Sequence, residues 1–124
     1  MVKERVTDGV RIAELLASEL DGREDEGLGR VGIENADPDV EPSVDGTRAY
    51  DVVADGEAVA TVYVHPDRSR IEFHAGREAA LSAARDAGLR ARAVPAPATL
   101  VFVESGADVK RAVRVVIVAV AALE

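Results

Sequence analysis

The chain has two histidines, His65 and His74, and they alternate with other reactive side chains: Tyr63 precedes His65 by two positions, and Arg70 and Glu72 precede His74 by four and two. In extended segments joined by a turn, positions two apart share a face. A phenol, two imidazoles, a guanidinium and a carboxylate are therefore expected together on one side of a sheet. An imidazole near neutral pH with a carboxylate partner is what general acid–base chemistry requires, so His65, Glu72, His74, Tyr63 and Arg70 are the catalytic candidates. The plainer reading is the solvated face of a half-covered sheet, which alternation produces by itself.

Other chemistries find less support. Glu72 and His74 lie ~6.6 Å apart along one strand and could chelate, but His65 is expected ~13 Å from His74. A metal site using both histidines is not expected. Of the five serines, none sits in a G-x-S-x-G elbow. Gly27, Gly29 and Gly32 have dinucleotide-loop spacing, yet no strand precedes them and acids crowd them, so no phosphate or cofactor is expected there.

The pattern needs strands to hold it. Arg48–Val53, Ala58–His65 and Arg70–Ala75 read as three short strands. A three-residue turn, Ala54-Asp55-Gly56, pairs Val52 with Ala58 and Tyr50 with Ala60, and turns Asp45, Thr47 and Asp51 to the polar face. A second turn at Pro66–Ser69 pairs Val62 with Phe73 and Val64 with Ile71, setting His65 across from Arg70 and Glu72 across from Tyr63.

Around these lie an amphipathic helix over residues 3–20, with Thr7 as an alternative cap and Gly22 as its stop, and an alanine-faced helix over Gly76–Ala87. Leu89–Val94, with Arg90 and Arg92 outward, suits an edge strand that Pro95 and Pro97 close off. Thr99–Val103 is apolar on both faces, as in a strand covered on two sides. Ser105 to Asp108 forms a capping-box pattern opening a last helix, whose stripe Val109, Ala112, Val113, Val116 and Val120 opposes the strand propensity of Val115–Val118. The segment 21–46 is acidic and loop-rich, with one short strand from Leu28, Val31 and Ile33. Residues 1–124 then form a single α+β domain, a two-layer sandwich of a four- to six-stranded antiparallel sheet with two or three helices mainly on one face.

After Arg114 apolar residues nearly encircle the last helix, more than a small domain covers easily. Val115, Val118, Ala119 and Ala122 are expected to meet a second copy in a two-fold homodimer; the alternative is a helix wedged between the sheet and the first helix. Leu123-Glu124 matches a common cloning scar and enters no functional argument.

Composition bounds the rest. The 124 residues contain no cysteine, which removes disulfides, thiolate metal sites and cysteine nucleophiles. No apolar run reaches the ~20 residues of a membrane helix, and no signal-peptide core opens the chain, so a cytoplasmic protein is expected. The net charge of −8 is uneven: residues 1–60 hold 16 acids and 6 bases, residues 61–124 hold 7 acids and 9 bases. The later arginines could meet nucleic acid, but aromatic platforms are scarce and the net field repels phosphate. Pairing with the acidic half, within the chain or across subunits, is the simpler expectation.

Of 15 basic residues 13 are Arg, and Ala (22) and Val (20) dominate the apolar set. Dense carboxylates with small hydrophobes suit molar salt, where the Debye length is ~3 Å and apolar association is strengthened. The blocks VKERVTDGVRIAELLASELDG, FHAGREAALSAARDAGL and VFVESGADVKRAVRVVIVAV resemble a small haloarchaeal family of unknown function. None of them is a catalytic motif, and the resemblance implies no activity. The expected function is thus a non-enzymatic, homodimeric binding or interaction domain with an unknown protein or small-molecule partner. The alternatives are a small enzyme or ligand-binding domain on the polar sheet face and, more weakly, nucleic-acid binding.

Overall fold

The computed structural model describes residues 8–21 and 28–123. In chain order it has α1 (Gly9–Asp21), a 3₁₀ turn, β1 (Val31–Glu34), β2 (Thr47–Ala54), β3 (Glu57–Val64), β4 (Ser69–Phe73), α2 (Arg77–Asp86), β5 (Ala91–Val94), β6 (Ala98–Val103) and α3 (Val109–Ala121). The six strands form one antiparallel sheet in the order β1-β2-β3-β4-β6-β5. All three helices pack on one face: α1 against β1, β3 and β4, α2 against β5 and β6, and α3 between them. The α+β two-layer expectation holds, at its upper strand and helix counts.

Pairing partners share a face. Tyr50, Val52, Ala60, Val62, Ile71, Phe73 and Val101 therefore look toward the helices, and all are buried there. Tyr50 closes the seam by donating its hydroxyl to the Ala13 carbonyl of α1 at 2.7 Å, and burial pushes that phenol well above its ordinary range, so it stays a donor.

Both hairpins differ from the sequence reading in register but not in face. Asp55 and Gly56, both left-handed (φ 52° and 83°), make a two-residue turn that pairs Ala54 with Glu57. A register shift after Val53 leaves Val59 as an extra residue in β3, which restores the apolar face; a second shift leaves Ala49 extra in β2. Arg48, opposite Tyr63, therefore joins the polar face in place of Thr47. In the second hairpin the turn tightens to Pro66-Asp67, with the His65 N–H donating to the Arg68 carbonyl at 2.8 Å. Val62 pairs with Ile71 and Val64 with Ser69, a slip of two residues that keeps every side chain on its expected face.

The helix ends also need correction. α1 begins at Gly9 with Asp8 as cap, its carboxylate accepting the Arg11 N–H at 3.1 Å; Thr7 and Gly22 lie outside the described residues. Ser105 makes no side-chain cap bond, and Asp108 instead accepts the Glu104 N–H at 3.2 Å. α3 is a helix through Val115–Val118. It buries seven side chains, and at ~1.5–3 kcal/mol for each large one this outweighs a β-propensity scale spanning ~1 kcal/mol.

That burial covers part of the expected α3 interface within the chain. Val115 and Ala119 are fully covered within the chain, so of the expected interface only Val118 and Ala122 are exposed, next to Leu123. That exposed pair alone falls short of the ~800 Å² per partner of a stable interface, so a dimer there would need further surface. Light scattering in molar salt is expected to give a single-chain mass; a dimer mass that Val118→Asp abolishes would overturn this.

Candidate functional site

The face turned from the helices carries the sequence candidates, and the structure divides them into two networks. In the first, Arg70 is the hub. Its Nη1 donates to His65 Nε2 at 2.9 Å and to the Asp45 carbonyl at 3.3 Å, its Nη2 lies 3.6 Å from Glu72, and its guanidinium stacks 4.4 Å from the Tyr63 ring centre. His65 Nδ1 contacts the Val44 carbonyl at 2.9 Å. A carbonyl only accepts and a guanidinium only donates, so the ring must be the Nδ1–H tautomer with its Nε2 lone pair given to Arg70. His65, expected on a solvated face, is only 4% exposed because the 43–46 loop lies over it. The approach is close: a Cβ on Gly46 would come within 2.9 Å of Arg70 Nη1 and 3.1 Å of His65 Nε2.

His74 stands apart from this group. Its Nε2 meets the Thr61 hydroxyl at 3.3 Å, and that hydroxyl donates to Asp51 at 3.2 Å. The order carboxylate–hydroxyl–imidazole is the wrong one for an activated nucleophile, in which the imidazole lies between the other two. Asp51 also accepts from Asn35 at 2.9 Å and from Arg48. Burial alone would raise its pKa, but the hydrogen bonds from Asn35, Arg48 and Thr61, with the Arg48 charge, hold it below the ordinary 3.8. A folded-state pKa below the unfolded one adds stability at neutral pH that is lost as pH falls through the folded value. The wild type is thus expected to be more stable than Asp51→Asn at pH 7, with the gap closing below about 3.8; a gap unchanged down to pH 2 in denaturant titrations would sink this.

Beside the Arg70 hub opens a cleft of about 600 Å³, between the 43–46 loop and the β4, β6 and β5 strands. Leu100 and Phe102 line it from β6, and Arg68, Arg70, Arg90 and Arg92 surround them, with Arg85 reaching in from α2 and one acid, Asp45, at the loop side. Arg68 and Arg90 lie over the Phe102 ring at 5.8 and 5.1 Å. These guanidiniums explain why β6 is apolar on both faces: Phe102 is covered by arginine side chains, not by a second layer. The ion pairs of Arg68, Arg70 and Arg90 run to Asp67, Glu72 and Glu104, all in the same half of the chain, so within the chain these three do not pair with the acidic half.

The family described as Family of unknown function (DUF7993) matches residues 1–124. The chain belongs to that family. No curated protein matches it, and no solved structure does either. Membership therefore brings no activity to these residues, and the site must be read from its own chemistry. DUF7993 membership does bear out the expectation of a family of unknown function.

Sequence reasoning found Tyr63, His65, Arg70 and Glu72 and missed Arg68, Arg90, Arg92, Leu100 and Phe102 as their neighbours. The available signal was the matched alternation Arg90-x-Arg92 and Leu100-x-Phe102, which a β5–β6 hairpin sets side by side; Arg92 pairs with Leu100. Among the described residues no three His, Asp or Glu side chains are grouped to hold a metal ion. Of the glycine-spaced segment, Gly27 lies outside the described residues, Gly29 falls in the 3₁₀ turn and Gly32 in β1, where a phosphate loop would open a helix.

Proposed function

We propose that this protein is a non-enzymatic binding domain, working in the cytoplasm of a halophile through the uncovered face of its sheet. The observation that carries the reading is the state of its reactive groups. A general base needs a lone pair free to take a substrate proton. The cleft's imidazole, His65, has its Nε2 lone pair taken by Arg70, while His74 lies outside the cleft on the Thr61 hydroxyl, whose proton is directed to Asp51. What the face offers is a set of guanidinium donors, Arg70 held firmly among them, around an apolar floor, which suits recognition better than proton transfer.

The habitat rests on the surface. Glu34, Asp37, Asp39, Glu41 and Asp45 are all exposed along one loop-rich stretch, where dilute solution leaves their repulsion unscreened. Unfolding is expected to need more heat in molar potassium chloride than at low salt, and an equal or lower melting temperature would remove the halophile reading.

A small-molecule panel in molar salt, read by NMR, tests the binding face. Compounds that bind are expected to shift the ring signals of Tyr63 and Phe102. Perturbations confined to α2 and α3 would overturn it.

A further inference from the structure

We propose that the cleft over Leu100 and Phe102 is a site for a small phosphorylated organic molecule of about mononucleotide size. The inference deepens the binding-face reading and rests on it. Four guanidiniums, those of Arg68, Arg70, Arg90 and Arg92, converge on one cleft in a chain of net charge −8. Like charges are gathered this way at a cost that a bound anion offsets.

The local acids do not finish the task. The Nε atoms of Arg68 and Arg70 are buried with no hydrogen-bond partner, and a buried donor left unmade is costly. Arg92 has no ion pair among the described residues, and Arg90 reaches Glu104 only at the exposed rim. Arg70, by contrast, is fixed on both sides, by His65 and by the Tyr63 ring, so it meets a ligand without losing further freedom. His65 is then a positioning residue: it aims Arg70 and does not touch the ligand's reacting atoms.

Phosphate fits this set better than a single carboxylate. Its three terminal oxygens and near-double charge answer several forks at once, whereas one carboxylate satisfies a single bidentate fork. The apolar floor gives the ligand's organic part a place, and the volume of about 600 Å³ is that of a small-molecule pocket. A nucleic-acid strand fits less well, because the loop that reaches the cleft at Val44 and Asp45 continues into the exposed acids Asp37, Asp39 and Glu41.

Calorimetry with a nucleoside monophosphate, the matching nucleoside, inorganic phosphate and a dicarboxylate tests this, run at low and at molar salt. The monophosphate is expected to bind, the nucleoside to fail, and inorganic phosphate to bind more weakly and compete. Arg92→Ala and Arg70→Gln are each expected to weaken binding at least tenfold, while Arg111→Ala, on α3, leaves it unchanged. His65→Ala should lose affinity through a disordered Arg70 and His65→Gln should recover part of it, whereas recovery in neither would remove the positioning role. If only the dicarboxylate or the nucleoside binds, with Tyr63 and Phe102 shifted, the phosphate proposal fails and the binding-face reading stands. If no probe binds and the panel leaves that face unperturbed, both fail. Binding to oligonucleotides with a steep salt slope and none to the monophosphate also overturns the proposal.

Discussion

Gly9→Ala is expected to cost ~3 kcal/mol or more, a large share of the 5–15 kcal/mol that holds a small domain together. A Cβ at this position would sit 1.8 Å from the His65 carbonyl oxygen and 2.5 Å from that of Arg68. Both belong to the backbone of the β3–β4 turn, so neither can rotate away. The same turn receives α1 by two hydrogen bonds, from Gly9 N to the Pro66 carbonyl at 3.3 Å and from the Ser69 side-chain hydroxyl to the Gly9 carbonyl at 2.8 Å. Making room means lifting the start of α1, which loosens the packing of Ile12, Leu16 and Leu20, all fully buried. Overpacking strain of ~1–3 kcal/mol and a lost hydrogen bond of ~1 kcal/mol therefore add to partial exposure of a core stripe. Ser69→Ala isolates the hydrogen bond and should cost only ~1 kcal/mol. Equal losses for the two variants in denaturant unfolding would show that the backbone contact at Gly9 carries no weight.

The contact bears on the site as well as on the fold. The turn that α1 presses on is Pro66-Asp67, and it fixes where His65 and Arg68 leave β3 and enter β4. A Gly9 variant that still folds is thus expected to disturb the Arg70 network from the opposite face of the sheet.

Much of this arrangement was legible in the sequence, and the parts that were not share a cause. Period-two alternation assigned Val62, Val64, Ile71 and Phe73 to one face and Tyr63, Arg70 and Glu72 to the other, and those assignments survive a register slip of two. Alternation is blind to such a slip, so it could not say that Tyr63 lies opposite Arg70, the pairing that makes the cation–π stack. Nor does it register bulges, and the extra residue at Ala49 is what exchanged Thr47 for Arg48 on the polar face. The burial of His65 was invisible for another reason: the loop that covers it comes from the acidic stretch, whose composition says only that it is solvated. The last helix fails in the opposite sense. Its apolar circumference was legible, but whether a neighbour within the chain or a second copy covers it is a tertiary fact, and α1 and α2 cover Val115 and Ala119.

The two phenylalanines turn this division into an expected result, because they lie on opposite faces of adjacent strands. Phe73 on β4 faces the helices and is fully buried, while Phe102 on β6 faces the cleft and is 8% exposed. By burial alone the two would rank nearly equal. Their surroundings differ: Phe73 lies between its cross-strand partners Ala60 and Thr99, both buried, within the core under the helices, which cannot collapse into the space it leaves, so Phe73→Ala is expected to cost ~3–5 kcal/mol. Phe102 is covered by the Arg68 and Arg90 side chains, which are long and able to settle into a gap. Phe102→Ala is expected to cost only ~1–2 kcal/mol, yet to lose most of the affinity for a phosphorylated ligand, since the floor goes and the two guanidiniums drop with it. Urea unfolding gives the first quantity and calorimetry the second. If the two variants lose equal stability, the arginines over Phe102 form a rigid layer and the cleft is part of the core; if Phe102→Ala loses stability alone and binds as before, the floor plays no part in recognition. A large stability loss at Phe73 with affinity kept, against a small one at Phe102 with affinity gone, is what separates the face that builds this domain from the face it uses.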